Sequence, residues 1–300
     1  MTSTLFQQIE TEGGIVDLSA RAKFRLTGGD RVRYLNGQVT NDVRAAGCEA
    51  ALYACATDLK GKIVADVFIH ATQEGDALLL DAEADLREVL SARLERYIIA
   101  DDVELADVSD EWRLWHVFGP AAALWKASGG VGVRSMRLAA EGVDLWLPVS
   151  ASPPAASFPA LTEADFECYR ILCGIPRHPN ELGGGTFPPE AGLDEKGMSY
   201  SKGCYLGQEV LSRIRTTGKM PRELVRWHSP GPVAVGDTLF ASEGDARALG
   251  TVTSAAWHPV LEEFAGLAFV KQGSAPADSK LPVATEGSTD ASGKWLHIHR

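Results

Sequence analysis

The chain has no run of 18 consecutive apolar residues, so nothing in it reads as a membrane-spanning helix. Its opening residues, Met1 to Glu10, carry no basic region and no apolar core, which argues against a signal peptide or an arginine-rich transit peptide. Cysteine is scarce and odd in number: five in 300 residues, scattered from Cys48 to Cys204. That excludes a disulfide framework and fits a reducing cytoplasm, the expected location. Cys168 and Cys173 have no second pair at zinc spacing, and His297 and His299 have no evident partner ligands, so no metal site is expected. Positive charge is also in deficit, 29 Lys and Arg against 40 Asp and Glu, for a net charge of −11. Such a chain is not built for non-specific nucleic-acid binding. Gly183-Gly184-Gly185 is followed by no Gly-Lys-Ser/Thr, so it is no phosphate loop, and no internal repeat occurs.

Hydrophobic content of 45% and charged content of 23% describe a globular protein of one large domain or several ordinary ones. Strands are expected over residues 15–28, 63–69, 77–80, 112–118 and 143–149. Asp30 is placed to cap a short helix through Tyr34 and Leu35. Leu86, Leu90, Leu94 and Tyr97 recur at helical spacing and predict a helix over 83–99. Pro148, Pro153, Pro154 and Pro159 mark an extended connection. The helix after it is punctuated by Thr162 and Asp165 as a capping box, Gly174 as a stop and Pro176 beyond. From about residue 225 the pattern changes to short alternating segments, at 224–228, 237–241, 250–256, 265–270 and 295–299, which predict a small antiparallel barrel or sandwich. Residues 273–293, rich in Ser, Ala, Gly, Asp and Pro, read as a mobile loop. The fold class is therefore α+β: a body over 1–225 and a small antiparallel β-barrel domain over 226–300.

Within an acidic chain, residues 196–226 form a basic island. Lys196, Lys202, Arg213, Arg215, Lys219, Arg222 and Arg226 stand against Glu209 and Glu223, a local net of +5, which suits a small anionic ligand. The island contains the most distinctive run of the sequence, Lys202-Gly203-Cys204-Tyr205-Leu206-Gly207-Gln208-Glu209. Packing alone does not call for two glycines, a thiol, a cation, a ring, an amide and a carboxylate in eight residues. Gly203 and Gly207 permit close backbone approach. Gln208 and Glu209 open a helix predicted over 208–214. Cys204 would precede that helix N-terminus, two residues from Lys202, and both features favour a thiolate. Cys48, Cys55, Cys168 and Cys173 sit in apolar or helical contexts and read as packing residues.

This run, continued as KGCYLGQEVLSRIRTTGKMPREL, resembles the YgfZ family of folate-binding proteins, relatives of the glycine-cleavage T-protein, an aminomethyltransferase. The resemblance extends in order through Tyr34 to Val43, Asp58 to Asp66, Arg170 to Pro176 and Phe187 to Leu193. It implies a two-lobed, T-protein-like folate-binding body with interleaved lobes around a central channel, followed by the barrel. It implies tetrahydrofolate, or a one-carbon derivative, as cofactor, and a role as an accessory protein for iron–sulfur cluster assembly or repair, with client or assembly proteins as partners. Cys204 and Lys202 would then be the reactive pair. Asp66, Glu190, Tyr205, Gln208, Glu209 and Arg213 would meet the folate, with Arg213 and Arg215 on its anionic tail. The alternative is a folate-dependent, aminomethyltransferase-type one-carbon transferase. Two departures count against it: Ala65-Asp66 stands where T-proteins have two aspartates, and Leu172 stands where they have a pterin-contacting glutamate. Whether the chain is an enzyme stays open at this point. A Cys–His thiol enzyme and a non-catalytic scaffold are the other readings of the same residues.

Overall fold

The computed structural model describes residues 1–300 apart from 155–157, 246, 289–293 and 300. The chain begins with helix α1 (Ser3–Glu12) and strand β1 (Gly14–Asp17), then leaves that strand to build a separate sheet. β2 (Ala22–Thr27), β3 (Leu52–Thr57), β4 (Ile63–Ala71), β5 (Leu78–Ala82) and β6 (Glu104–Asp107) form a five-stranded sheet in the order β3-β4-β5-β2-β6. Helices α2 (Arg31–Gln38) and α3 (Arg87–Glu95) cover it. Leu78-Leu79-Leu80 fails to alternate because β5 is central and buried along its whole length.

The chain then returns to β1. β7 (Trp112–Phe118), helix α4 (Pro120–Ala127), β8 (Val133–Ser135), β9 (Gly142–Pro148) and β10 (Ala160–Leu161) complete a second sheet, ordered β10-β1-β7-β9-β8. The two lobes are thus interleaved in sequence. A parallel bridge between Ala50 and Arg134 ties them together. Helix α5 (Glu163–Leu172) packs on the second sheet and on the barrel. Its punctuation is local and legible: Thr162 Oγ1 accepts from Asp165 N, the carboxylate of Asp165 accepts from Thr162 N, and Gly174 turns out of the helix at φ 74°.

Helix α6 (Gln208–Thr217) leads to the barrel, whose first strand β11 (Arg222–Ser229) starts slightly before the boundary read at 225/226. β12 (Thr238–Phe240), β13 (Ala248–His258), β14 (Glu263–Lys271), β15 (Lys280–Ala284) and β16 (Trp295–His299) follow. The ring closes in the order β11-β14-β13-β12-β15-β16, so among the described strands no barrel edge is left unpaired. Trp227, Leu239, Val252, Val270, Val283, Leu296 and Ile298 fill its interior.

Two expectations need correction. The segment read as a mobile loop over 273–293 contains β15, with Leu281, Val283 and Ala284 buried between β12 and β16. Pro282 hid the strand, since proline donates nothing to a ladder. Residues 289–293 of that segment lie outside the described residues. Asp30 does stand at the N-cap of α2, but its side chain does not cap the helix. It accepts from Asp102 N and Arg33 Nε instead, pinning the helix start to the loop before β6.

Candidate functional site

A cavity of about 570 Å³ lies where the two lobes, α5 and the outer face of the barrel meet. That is within the range of small-molecule sites. Its deepest polar wall follows from strand register. β4 and β5 pair Phe68 with Asp81, and β2 and β5 pair Ala22 with Ala82. Continuing the same ladders, by two residues on β4 and by one on β2, brings Asp66, Glu83 and Arg21 side by side just past the end of β5, and all three line the cavity. Tyr53 and Phe68 add aromatic surface, their rings 4.8 Å apart.

Asp66 is only 8% exposed. Its Oδ2 accepts from the Tyr53 hydroxyl at 3.1 Å, while its Oδ1 is buried with no partner. Burial raises its pKa above the ordinary carboxylate value, against the pull of Arg21. Glu83 behaves oppositely. Burial opposes its ionisation, but Arg21 and Arg177 overcome that and hold it at about 2. Glu83 is committed to those two cations, so Asp66 is the one cavity carboxylate with an unspent oxygen among the described residues.

Around this wall runs a buried ion network. Arg137 bonds Asp81 at 2.6 and 2.8 Å and Asp144 at 2.8 to 3.0 Å. His116 Nδ1 lies 2.8 Å from Asp144. Arg21 takes Asp81 at 2.6 Å and Glu83. Arg177 joins Glu83 to Glu163 and Glu167, and Arg170 joins Glu167 to Glu181, which accepts from Ser254 of β13 at 2.6 Å. First sheet, second sheet, α5 and barrel are thereby tied through a single chain of charges. Lys196 and Arg226, also lining the cavity, are exposed, and no ion pair to either occurs among the described residues.

The cysteine loop is built by different physics. Lys202 is buried, and its ammonium donates to the carbonyls of Asn36, Val39 and Asn41 at 2.5, 2.7 and 2.7 Å. Two of these are carbonyls left over at the C-terminal end of α2. Burial lowers Lys202 to about 8, which leaves it charged at neutral pH. Leu206 N donates to Gly37 O, Thr57 Oγ1 donates to Leu206 O, and Ser199 N donates to Thr40 O. Gly207, at φ 86°, lies so close to the turn after β3 that a Cβ would come within 2.6 Å of Asp58 O. The segments 36–42, 57–62 and 197–207 are therefore one interlocked unit. Cys204 is exposed on it.

The structure separates residues that the sequence had brought together. Asp66 lines the cavity, whereas Cys204 is not among the lining residues. The lysine near it in sequence is spent on carbonyls 161 to 166 residues away. Glu190 is buried and is not among the lining residues, accepting from Phe187 N at 2.9 Å and paired with Arg222 at 3.5 Å. Tyr205 is buried against Met198, Leu211 and Ile214, and burial pushes its hydroxyl up to about 12. Tyr205 and Gln208 line a second, polar groove of about 390 Å³, where Gln208 Oε1 accepts from Tyr205 N at 3.3 Å. Glu209 and Arg213 are exposed on α6. Arg215 lies over the Tyr200 ring, 3.8 Å from its centroid. Sequence reading missed Arg21, Tyr53, Glu83, Arg137, Arg177 and the mouth cation Lys196 as cavity residues. Only the island count had drawn attention to Lys196 and Arg226.

Among solved structures, the glycine cleavage system aminomethyltransferase T from Bartonella henselae superposes with a TM-score of 0.84. The match covers 99% of this chain and 88% of that one at 17% identity. The fold is that of an aminomethyltransferase. Residues 4–126 match the GCVT N-terminal domain family, spanning the interleaved part of this aminomethyltransferase fold. Two relatives are similar over most of the chain. One is the mitochondrial iron–sulfur cluster assembly factor IBA57 homolog of Neurospora crassa, 24% identical over 98% of this chain and 70% of its own length. The other is an aminomethyltransferase of Rubrobacter xylanophilus, 28% identical over 88% of this chain and 77% of its own length. Among the described residues, no group of three or more His, Cys, Asp or Glu could hold a metal ion, and no helix is long and apolar enough to cross a membrane.

Proposed function

We propose that this protein binds tetrahydrofolate, or a one-carbon derivative of it, in the central cavity and serves as an accessory factor in iron–sulfur cluster assembly or repair. The observation that carries the folate half is Asp66 Oδ1, a buried acceptor with no partner at the wall of a cavity of about 570 Å³. Leaving such an atom unmet costs about 1–3 kcal/mol, which a ligand N–H would recover. Tyr53 and Phe68 offer faces for a planar pteridine. Lys196 and Arg226 at the mouth suit the glutamate carboxylates, in place of Arg213 and Arg215.

The assembly half draws on the similarity to the Neurospora crassa assembly factor and on the exposed thiol of Cys204. In this reading Lys202 holds the loop rather than activating the sulfur, and Cys204 is offered to a client or assembly protein, not to the folate. Glu209 favours the first turn of α6, and Gln208 braces Tyr205.

The competing reading is a one-carbon transferase, favoured by the Rubrobacter xylanophilus relative and by the raised pKa of Asp66, which suits a base. One free carboxylate must then do everything, because Glu83 is bound to two arginines. Calorimetry with tetrahydrofolate tests the folate half: binding that weakens at least about 10-fold in Asp66→Asn is expected. No binding at high micromolar ligand removes that half. Cys204→Ala should retain folate binding yet fail to restore iron–sulfur enzymes in a deficient cell. Full restoration removes the cysteine. Methylenetetrahydrofolate formed from an aminomethyl donor would establish the transferase instead.

A further inference from the structure

Asp66 Oδ1 is not the sole unmet buried atom among the residues that line the cavity. Arg21, also 8% exposed, sends Nε to Asp81 at 2.6 Å and Nη1 to Glu83, while Nη2 is buried without any acceptor. A guanidinium has five donor hydrogens in a rigid plane, so the two carboxylates that orient Arg21 also fix where Nη2 points. Asp66 does not use it: no ion pair joins the two, although each acts on the charge of the other. Register puts them on either side of Glu83, whose carboxylate is taken by Arg21 and Arg177. The wall thus holds a charged donor and a carboxylate acceptor, both buried and both unmet.

We infer that Arg21 is a ligand-binding residue whose Nη2 donates to a ring carbonyl of the ligand, next to the N–H that Asp66 Oδ1 accepts. Such a wall reads an edge with a donor beside an acceptor, the lactam of a 4-oxopteridine. It disfavours a 4-amino ring, which turns two hydrogens toward a cation that has only hydrogens to give. This rests on the folate reading above and adds to it a residue and an edge. Asp81 and Glu83 are positioning residues here, acting only through Arg21.

The test compares tetrahydrofolate with its 4-amino counterpart, tetrahydroaminopterin, by calorimetry on the full-length protein. The 4-oxo ligand should bind about 10- to 100-fold more tightly, the worth of one hydrogen bond to a charged donor. Arg21→Lys keeps the charge but loses the fork. In that variant the preference should shrink to within about 3-fold, with thermal unfolding reporting that the protein is still folded. Should Arg21→Lys not fold, the ratio measured on the unaltered protein still decides. A 4-amino ligand bound as tightly as tetrahydrofolate, or more tightly, overturns the role of Arg21 while leaving folate binding intact. Absence of tetrahydrofolate binding overturns the folate reading itself, and Arg21 with it.

Discussion

The central cavity and the cysteine loop both lie in segments that drew attention in the sequence, yet they are finished in opposite ways. The cavity keeps two buried polar atoms unmet, Asp66 Oδ1 and Arg21 Nη2, inside a frame of ion pairs. The loop has its interior polar groups answered: three carbonyls by Lys202, Leu206 by Gly37 and Thr57. Its thiol is turned outward. Unmet buried atoms call for a small molecule that can enter and match them. A satisfied loop with an exposed thiol calls for a partner that comes to it. Damage to the frame should therefore cost stability and ligand together, and damage at the loop tip should cost neither.

The largest effect is expected from Arg137→Met. It leaves Asp81 and Asp144, each about 1% exposed, short of their shared cation. Breaking a buried pair in this way costs about 3–5 kcal/mol. Thermal unfolding should show the loss, and tetrahydrofolate binding should fall with it because Asp81 also orients Arg21. An unfolding midpoint within a degree or two of the parent would mean the network does not hold the lobes.

Acid should attack the same frame. Burial lowers His70, which meets Trp146 of the second sheet edge-on, from 6.5 to about 4. The unfolded chain then binds the extra proton between those values, so stability declines as pH falls from 6.5 toward 4, by up to about 3 kcal/mol. Glu83, held at about 2, adds a second loss as pH falls from 4.5 toward 2. Unfolding followed at a series of pH values checks this, and His70→Phe should flatten the upper part of the curve and leave the lower part in place. An unchanged upper slope would assign that loss to another group.

How far the sequence foretold all this follows from the reach of each interaction. α5 was legible because Thr162, Asp165, Gly174 and Pro176 act within a few residues of the helix they delimit. The barrel was legible apart from β15, where Pro282 broke the alternation. Asp66 was legible only through a resemblance, whereas the frame was not legible at all: Arg21, Asp81, Arg137 and Asp144 are isolated charges that meet only after two sheets pack. Lys202 was seen but misread. Nearness in sequence to Cys204 suggested thiol chemistry, and the carbonyls it binds lie far upstream.

Lys202→Met should therefore act on the loop alone. It strands three carbonyls, two at the end of α2 and that of Asn41 just beyond it, for a loss of about 1–3 kcal/mol. Amide exchange should quicken over residues 36–41 and 197–207 while tetrahydrofolate affinity stays within about 2-fold, since Lys202 does not line the cavity. A collapse of folate binding without loss of stability would instead join loop and cavity into one site.

The smallest effect belongs to the loop tip. Cys204 is exposed and donates to nothing that holds the fold, so Cys204→Ser should change stability by less than about 0.5 kcal/mol. Its accessibility sets it apart from the buried Cys55, whose thiol is pushed well up by burial, and from Cys168 and Cys173, which burial raises as well. A thiol reagent at neutral pH should accordingly modify Cys204 before the others, because it is the exposed one of the five cysteines. Modification mapped by mass spectrometry in the presence and absence of tetrahydrofolate completes the comparison. Equal rates keep thiol and cavity separate, whereas protection by the ligand would place the sulfur within reach of the folate after all and return the two regions to a single site.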